Sequence, residues 1–266
     1  MSVRTLRLSK NWPDLNVIYE DDVLMAIDKP AGLLVAPDRW DKSRDNLMDL
    51  LHEGIREKKD WAASSGLGYL ANAHRLDAET SGVLLLAKSR EMLISLVNLF
   101  SQRLTRKFYQ AVMIGGPAKD EVEVDLAISP HPVRPGLSVI DTINGKKAVS
   151  IVRIRERFTG YSLAEVEILT GRHHQIRVHL KSLGCPLVGD RLYGGQPLLL
   201  SRLKPHYKVK DDGERPLIGR PALHAWRLIL NHPTTGAELT LEAPMPKDMT
   251  VGLKYLRRYG LAGQRI

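Results

Sequence analysis

The chain has 266 residues, of which 43% are apolar and 26% charged, a composition that suits one large globular domain or two small ones and excludes a disordered chain. No stretch reaches the roughly 18 to 20 uninterrupted apolar residues of a membrane helix, and the opening MSVRTLRLSKNWPD lacks the apolar run of a secretory signal. A single cysteine, Cys185, excludes an internal disulfide framework and cysteine-rich zinc sites and makes the cytoplasm the expected compartment, while a net charge of +9 favours a polyanionic partner such as nucleic acid.

Residues 15–37, LNVIYEDDVLMAIDKPAGLLVAP, read as a strand, an acidic turn, a second strand and a Pro/Gly break. DNLMDLLHEGIREKKDW then predicts one short amphipathic helix, followed by the loop AASSGLG. HRLDAETSG (74–82) is a polar cluster that runs directly into VLLLAK, a buried strand by composition. In SREMLISLVNLFSQRLT, Leu93, Leu96, Val97, Phe100 and Leu104 recur at helical spacing, with Ser89 as N-cap, and predict a helix packed by that face. RKFYQAVMIGG returns as a strand, and KKAVSIVRIRERF and YSLAEVEILTG alternate like half-buried antiparallel neighbours. RHHQIRVHLKSLGCP is helical through Ile176, Leu180 and Leu183 and stops at Gly184 and Pro186. ALHAWRLIL and AELTLEA, joined by NHPTTG, predict a late hairpin. The sum is an α+β protein with many strands, few helices, no internal repeat and no linker between independent domains.

Asp77 lies between Arg75 and the Thr80-Ser81-Gly82 turn. Hydroxyls and turn N–H groups can hold an ionised carboxylate, and a guanidinium nearby lowers its pKa, so Asp77 could act as nucleophile or base. It could equally do no more than organise the turn. GRHHQIRVH puts Arg172, His173 and Arg177 at a predicted helix start, with His173 and Arg177 four apart on one face and exposed N–H groups suited to phosphate. His173, His174 and His179 lack the spacing of a zinc-protease helix, so no metal is expected. In TRKFYQAV, Tyr109 stands among Arg106 and Lys107, where it could stack on a nucleobase or pack in the core. The segment 201–221 is basic and turn-rich, able to lie against phosphates or simply to be solvated.

Together these segments resemble the RNA pseudouridine synthases of the RluA type. VIYEDDVLMAIDKPAGLLV is similar to that family's first motif, HRLDAETSG to its catalytic motif HRLDxxTSG and KFYQAV to its short tyrosine motif. GRHHQIRVHLKSLGCPLVGDRLYGG is similar to its third motif and ALHAWRLILNHPTTGAELTLEAPMPKD to its C-terminal hairpin, all in order over residues 15–248. The resemblance implies a mixed, largely antiparallel sheet flanked by helices with a central catalytic cleft. Many members of that family carry a small RNA-binding module before the catalytic domain; here residues 1–14 alone precede the first motif, so the expectation departs from the family in being a single catalytic domain over 1–266 without a separate N-terminal RNA-binding module. It implies isomerisation of uridines in structured rRNA or tRNA to pseudouridine by a monomer, without cofactor or metal. It makes Asp77 the catalytic aspartate, sets Tyr109 on the target base, pairs Arg177 with Asp77 and places Arg75 where the flipped base had been. Lys29, Arg172 and His173 are further expected RNA contacts. The spacers 38–70 and 196–216 look long for the family. A non-catalytic RNA-binding or ribosome-assembly protein on the same fold is the rival reading, and it has no need of Asp77, Tyr109 and Arg177 together.

Overall fold

The computed structural model describes residues 4–38, 41–209 and 213–260, so positions 39–40 and 210–212 of the two long spacers lie outside the described residues. In chain order the elements are β1 (Thr5–Leu6), β2 (Leu15–Glu20), β3 (Leu24–Lys29), α1 (Leu47–Arg56), α2 (Asp60–Ala63), β4 (Ala71–Asn72), β5 (Ser81–Ala87) and α3 (Arg90–Ser101). They continue with β6 (Thr105–Ile114), β7 (Glu121–Asp125), β8 (Ile128–Pro130), β9 (Ser138–Ile140), β10 (Val149–Phe158), β11 (Tyr161–Ile168) and α4 (Gln175–Ser182). Two 3-10 turns, β12 (Leu223–Asn231), β13 (Glu238–Glu242) and α5 (Lys247–Tyr259) complete the chain. This is the expected α+β class. The chain forms two compact units, one built from the residues up to Lys107 with Ala225–Pro244, the other from Phe108–His224 with the chain from Met245 onward.

In the first unit the strand order is β1-β2-β3-β5-β12, with β4 on β5 and β13 on β12. The β2–β3, β3–β5 and β12–β13 pairs are antiparallel, which bears out the first two strands and the late hairpin. Every residue of β5 is buried, as a strand needs a continuous apolar run when both its faces are covered. Leu24 and Ala26 of β3, Val83 and Leu85 of β5, Leu228 and Leu230 of β12 and Leu241 of β13 form one core with Met92 and Leu96 of α3.

Two helix expectations need correction. The side chain of Ser89 accepts from the Met92 N–H at 3.1 Å, so the predicted N-cap holds. The packed face of α3 is instead Met92 and Leu96, flanked by Leu93, Leu99 and Phe100. Val97, within the helix, is 44% exposed and lies off that face; Leu104 is 58% exposed because Arg103 turns left-handed (φ 59°) and the helix ends before it. The stretch read as one helix over 45–61 is two, α1 and α2, broken at Lys58 (φ 52°), and Ala62 and Ala63 of the expected loop belong to α2.

In the second unit the order is β6-β11-β10-β7, with β10 antiparallel to both β11 and β7, and β8–β9 forms a separate hairpin. Val112, Phe158, Leu163, Val188, Leu198 and Ile218 form a core with Met249, Leu253 and Leu256 of α5. Helix α4 ends at Gly184 (φ 73°) as its sequence predicts. Its start differs: Arg172 and His173 precede the helix, so His173 and Arg177 are not one helical turn apart.

Candidate active site

Two loops of the first unit hold the HRLDAETSG stretch. The Thr80 N–H donates to the Asp77 carbonyl at 3.1 Å and closes a tight turn. The next carbonyl, of Ala78, accepts from the Gly32 N–H at 2.8 Å and from Lys29 Nζ at 3.0 Å. Lys29 Nζ also donates to the carbonyls of Pro30 at 2.8 Å and Leu33 at 2.6 Å. The ammonium is 0% exposed, and these three acceptors offset the cost of burying it. Lys29, expected at the RNA, is buried in the free protein and ties the KPAG turn to the loop that carries Asp77. Gly82 follows for a steric reason: its φ is +115°, and a Cβ there would lie 2.2 Å from the Ala225 carbonyl oxygen. Only glycine lets β5 begin so close to β12. Between these constraints Asp77 is half-buried and Arg75 exposed.

In the second unit a network of side chains is built around Arg177, which is 2% exposed. Its Nε and Nη2 donate to the two carboxylate oxygens of Asp190, both at 2.7 Å, a bidentate grip that fixes the guanidinium plane. Nη1 lies 2.9 Å from His174 Nε2, and the Tyr193 ring lies 5.0 Å from the guanidinium carbon. Arginine can only donate, so His174 Nε2 is the acceptor and its proton sits on Nδ1. Nδ1–H then donates to the Tyr193 hydroxyl oxygen at 2.8 Å, which also accepts from the Ser138 N–H at 2.9 Å. These bonds explain how His174 holds a left-handed conformation (φ 55°) that costs a non-glycine residue energy. His173 is exposed, stacks on His174 at 3.8 Å and contacts the Ser138 hydroxyl at 3.0 Å. Arg172 donates to the Lys147 carbonyl at 3.0 Å, and Tyr109 lies on β6, 9% exposed.

Sequence reasoning named Arg177 but not the residues that hold it. Asp190, Tyr193 and, as an acceptor, His174 were present in the quoted GRHHQIRVHLKSLGCPLVGDRLYGG without a role. The available signal was the arginine itself: on the apolar side of a helix, a guanidinium requires a carboxylate, and GD supplies the nearest one downstream.

Residues 23–182 match the family model described as RNA pseudouridylate synthase. The chain is similar to ribosomal large subunit pseudouridine synthase D of Nitrosomonas europaea, 38% identical over 244 residues that cover 91% of this chain and 65% of that protein. To its counterpart in Pseudomonas aeruginosa it is 37% identical over 246 residues, 92% of this chain and 72% of that one. Among solved structures, human RNA pseudouridylate synthase domain containing 4 superposes with a TM-score of 0.66 at 26% identity, covering 91% of this chain and 92% of the other.

Proposed function

The chain belongs to the RNA pseudouridylate synthase family, and from that premise we propose that it isomerises uridine in structured RNA to pseudouridine with Asp77 as the catalytic carboxylate. The names of the Nitrosomonas and Pseudomonas relatives favour ribosomal over transfer RNA as the substrate. The observation that carries the reading is the loop that presents Asp77: pinned at the Ala78 carbonyl by Lys29 and Gly32, with Asp77 itself half-buried beside the pinned residue. The reaction breaks the bond from uracil N1 to C1′ and forms one from C5 to C1′; a proton leaves C5 and one ends on N1. Atoms balance without an added reagent. A carboxylate beside the sugar can attack C1′, attack C6 of the base or take a proton on the way to a glycal. In the same reading Tyr109 packs on the base while it turns, Arg177 pairs with Asp77 and keeps it ionised in a site closed from water, and Arg75 fills the gap left by the flipped uridine. Arg172 and His173 contact RNA nearby. We read residues 1–266 as one catalytic domain acting as a cytoplasmic monomer; no helix among the described residues is long and apolar enough to cross a membrane.

The C5 proton is lost to water, so RNA carrying tritium at uracil C5 reports turnover directly. Asp77→Asn keeps the shape of the side chain and removes its charge; release should fall by roughly 10³-fold or more, with RNA affinity and melting temperature close to wild type. Normal release by the Asn variant would remove Asp77 from the chemistry. RNA binding by the wild-type chain without release on any structured RNA would favour the binding protein instead.

A further inference from the structure

The residue that opens the HRLD stretch is tied into the sheet by an unusual bond. On the side of β5 that pairs with β4 at Leu86 and Ala87, the next N–H, that of Leu85, donates to His74 Nε2 at 3.0 Å. The imidazole occupies the place of a strand carbonyl. Its ring stacks on Phe100 of α3, centroids 4.6 Å apart at 28°, and Lys107 Nζ stands 5.9 Å from the Phe100 ring. The His74 carbonyl accepts from Asn72 Nδ2 at 3.0 Å. A backbone N–H can only donate, so Nε2 must carry a lone pair and the ring proton sits on Nδ1. An imidazolium would oppose N–H to N–H and break the bond.

We propose that His74 is a positioning residue for Asp77, its neutral imidazole pinning the start of the HRLD loop to β5 as Lys29 and Gly32 pin its end to the KPAG turn. The inference rests on the catalytic reading of Asp77 given above. With anchors at positions 74 and 78, the carboxylate at 77 has little freedom to move. Burial of the Leu76 side chain sets the depth of the loop but, lacking hydrogen-bond direction, not its twist. A displacement of about 1 Å is enough to cost some 10²-fold in rate. The surroundings keep the imidazole neutral: burial, and next the charge of Lys107, push its pKa down to about 3. The charged group facing it is Lys107, itself lowered by burial and by Arg103; Phe100, Asn72 and Leu85 supply the other contacts and do not titrate.

The test compares His74→Gln, whose Oε1 reaches about as far as Nε2 and can accept, with His74→Leu, which fills the space and cannot. In tritium release, the Leu variant should lose about 10²-fold in kcat with KM for RNA nearly unchanged, and the Gln variant should recover most of the loss. Nitrogen NMR of the free wild-type protein should show His74 as one tautomer, unprotonated at Nε2 and constant from pH 5 to 8. Amide exchange over residues 75–78 should quicken in the Leu variant and stay near wild type in the Gln variant. Titration of His74 near its ordinary pKa, equal losses in both variants, or a Leu variant with normal kcat and slow exchange would each overturn the proposal. A wild type without turnover would overturn the catalytic reading alone, since the NMR and exchange measurements read the pin without activity.

Discussion

Asp28 and Lys29 are neighbours on β3 with opposite fates. Successive side chains of a strand point to opposite faces, and only the lysine finds a cage of carbonyls. Asp28 is half-buried, and burial pushes its carboxyl up to about 6, with the Lys29 charge opposing this only in part. Its folded pKa thus lies above its unfolded value. The stability it contributes is full below the unfolded pKa near 3.8 and is lost as pH rises through 6, so the ionised carboxylate costs stability at neutral pH. Asp28→Asn should therefore be more stable than wild type at pH 7 to 8, by about 1–3 kcal/mol, and the advantage should vanish below pH 4. Urea melts across that range decide it; an equal or lower stability at neutral pH would mean that Asp28 has partners that favour its charge. Little of this was legible in the sequence. A run such as DKPAG shows a carboxylate and an ammonium but not which of them meets carbonyls, because backbone acceptors leave no mark in the residue types. Arg177 was half legible: a guanidinium on the apolar side of a helix calls for a carboxylate, and Asp190 is the next one downstream, but at 13 residues' distance no helical or strand period marks it as the partner.

Helix ends show most clearly when the sequence speaks and when it does not. Helices α1, α3 and α4 all close with the same pair of bonds from the two residues past the cap. In α4 these run from Gly184 N to Lys181 O at 2.9 Å and from Cys185 N to Leu180 O at 3.0 Å, and glycine announces the end. In α1 the donors are Lys58, to Ile55 O at 3.1 Å, and Lys59, to Gly54 O at 2.9 Å. In α3 they are Arg103, to Phe100 O at 3.3 Å, and Leu104, to Leu99 O at 2.9 Å. There the left-handed residue is a long cation that reads as a helix former, so the predicted helices ran on to Trp61 and Leu104. Helix α5 escaped notice for the converse reason. Gly252 sits in its middle, where glycine argues against a helix, yet a Cβ there would come 2.5 Å from Ile218 Cδ1. The left-handed strain at Lys58 is removable. Lys58 is exposed, and Lys58→Gly should raise stability by about 1 kcal/mol, a gain of roughly 2–4 °C in melting temperature. A loss would mean that the greater freedom of glycine in the unfolded chain outweighs the relief of strain.

At the scale of the whole molecule, the two units explain why no linker is visible in the sequence. The chain passes from one unit to the other at Lys107, at His224 and at Pro244; the first two passages fall inside β6 and β12, where strand composition continues unbroken, and the third lies in the short connection between β13 and α5. Charge, in contrast, was legible from the outset, and the structure sorts it. Arg220 is not available to RNA phosphates in the way its basic segment suggested: its Nε and Nη2 grip Asp248 at 2.8 and 3.1 Å. Arg202, Lys204, Lys208 and Arg215 of the same segment are exposed. A chain of net charge +9 that binds RNA through phosphates releases condensed counterions, so its affinity must fall with salt. If about six phosphates are neutralised, the affinity drops on the order of 10³-fold between 50 and 200 mM salt. Replacing the four exposed cations by glutamine leaves up to four of those phosphates without a protein cation. The slope of log affinity against log salt should flatten by about 0.7 to 0.9 for each such phosphate. The effect should appear equally on RNAs of different sequence, because phosphates carry no base information. Arg220→Gln added to the four should leave the slope where it was and lower the melting temperature, since that guanidinium holds the first turn of α5. Filter binding over a salt series measures the slope. An unchanged slope in the fourfold variant would assign the basic segment to solvent and move the phosphate-binding cations elsewhere on the surface.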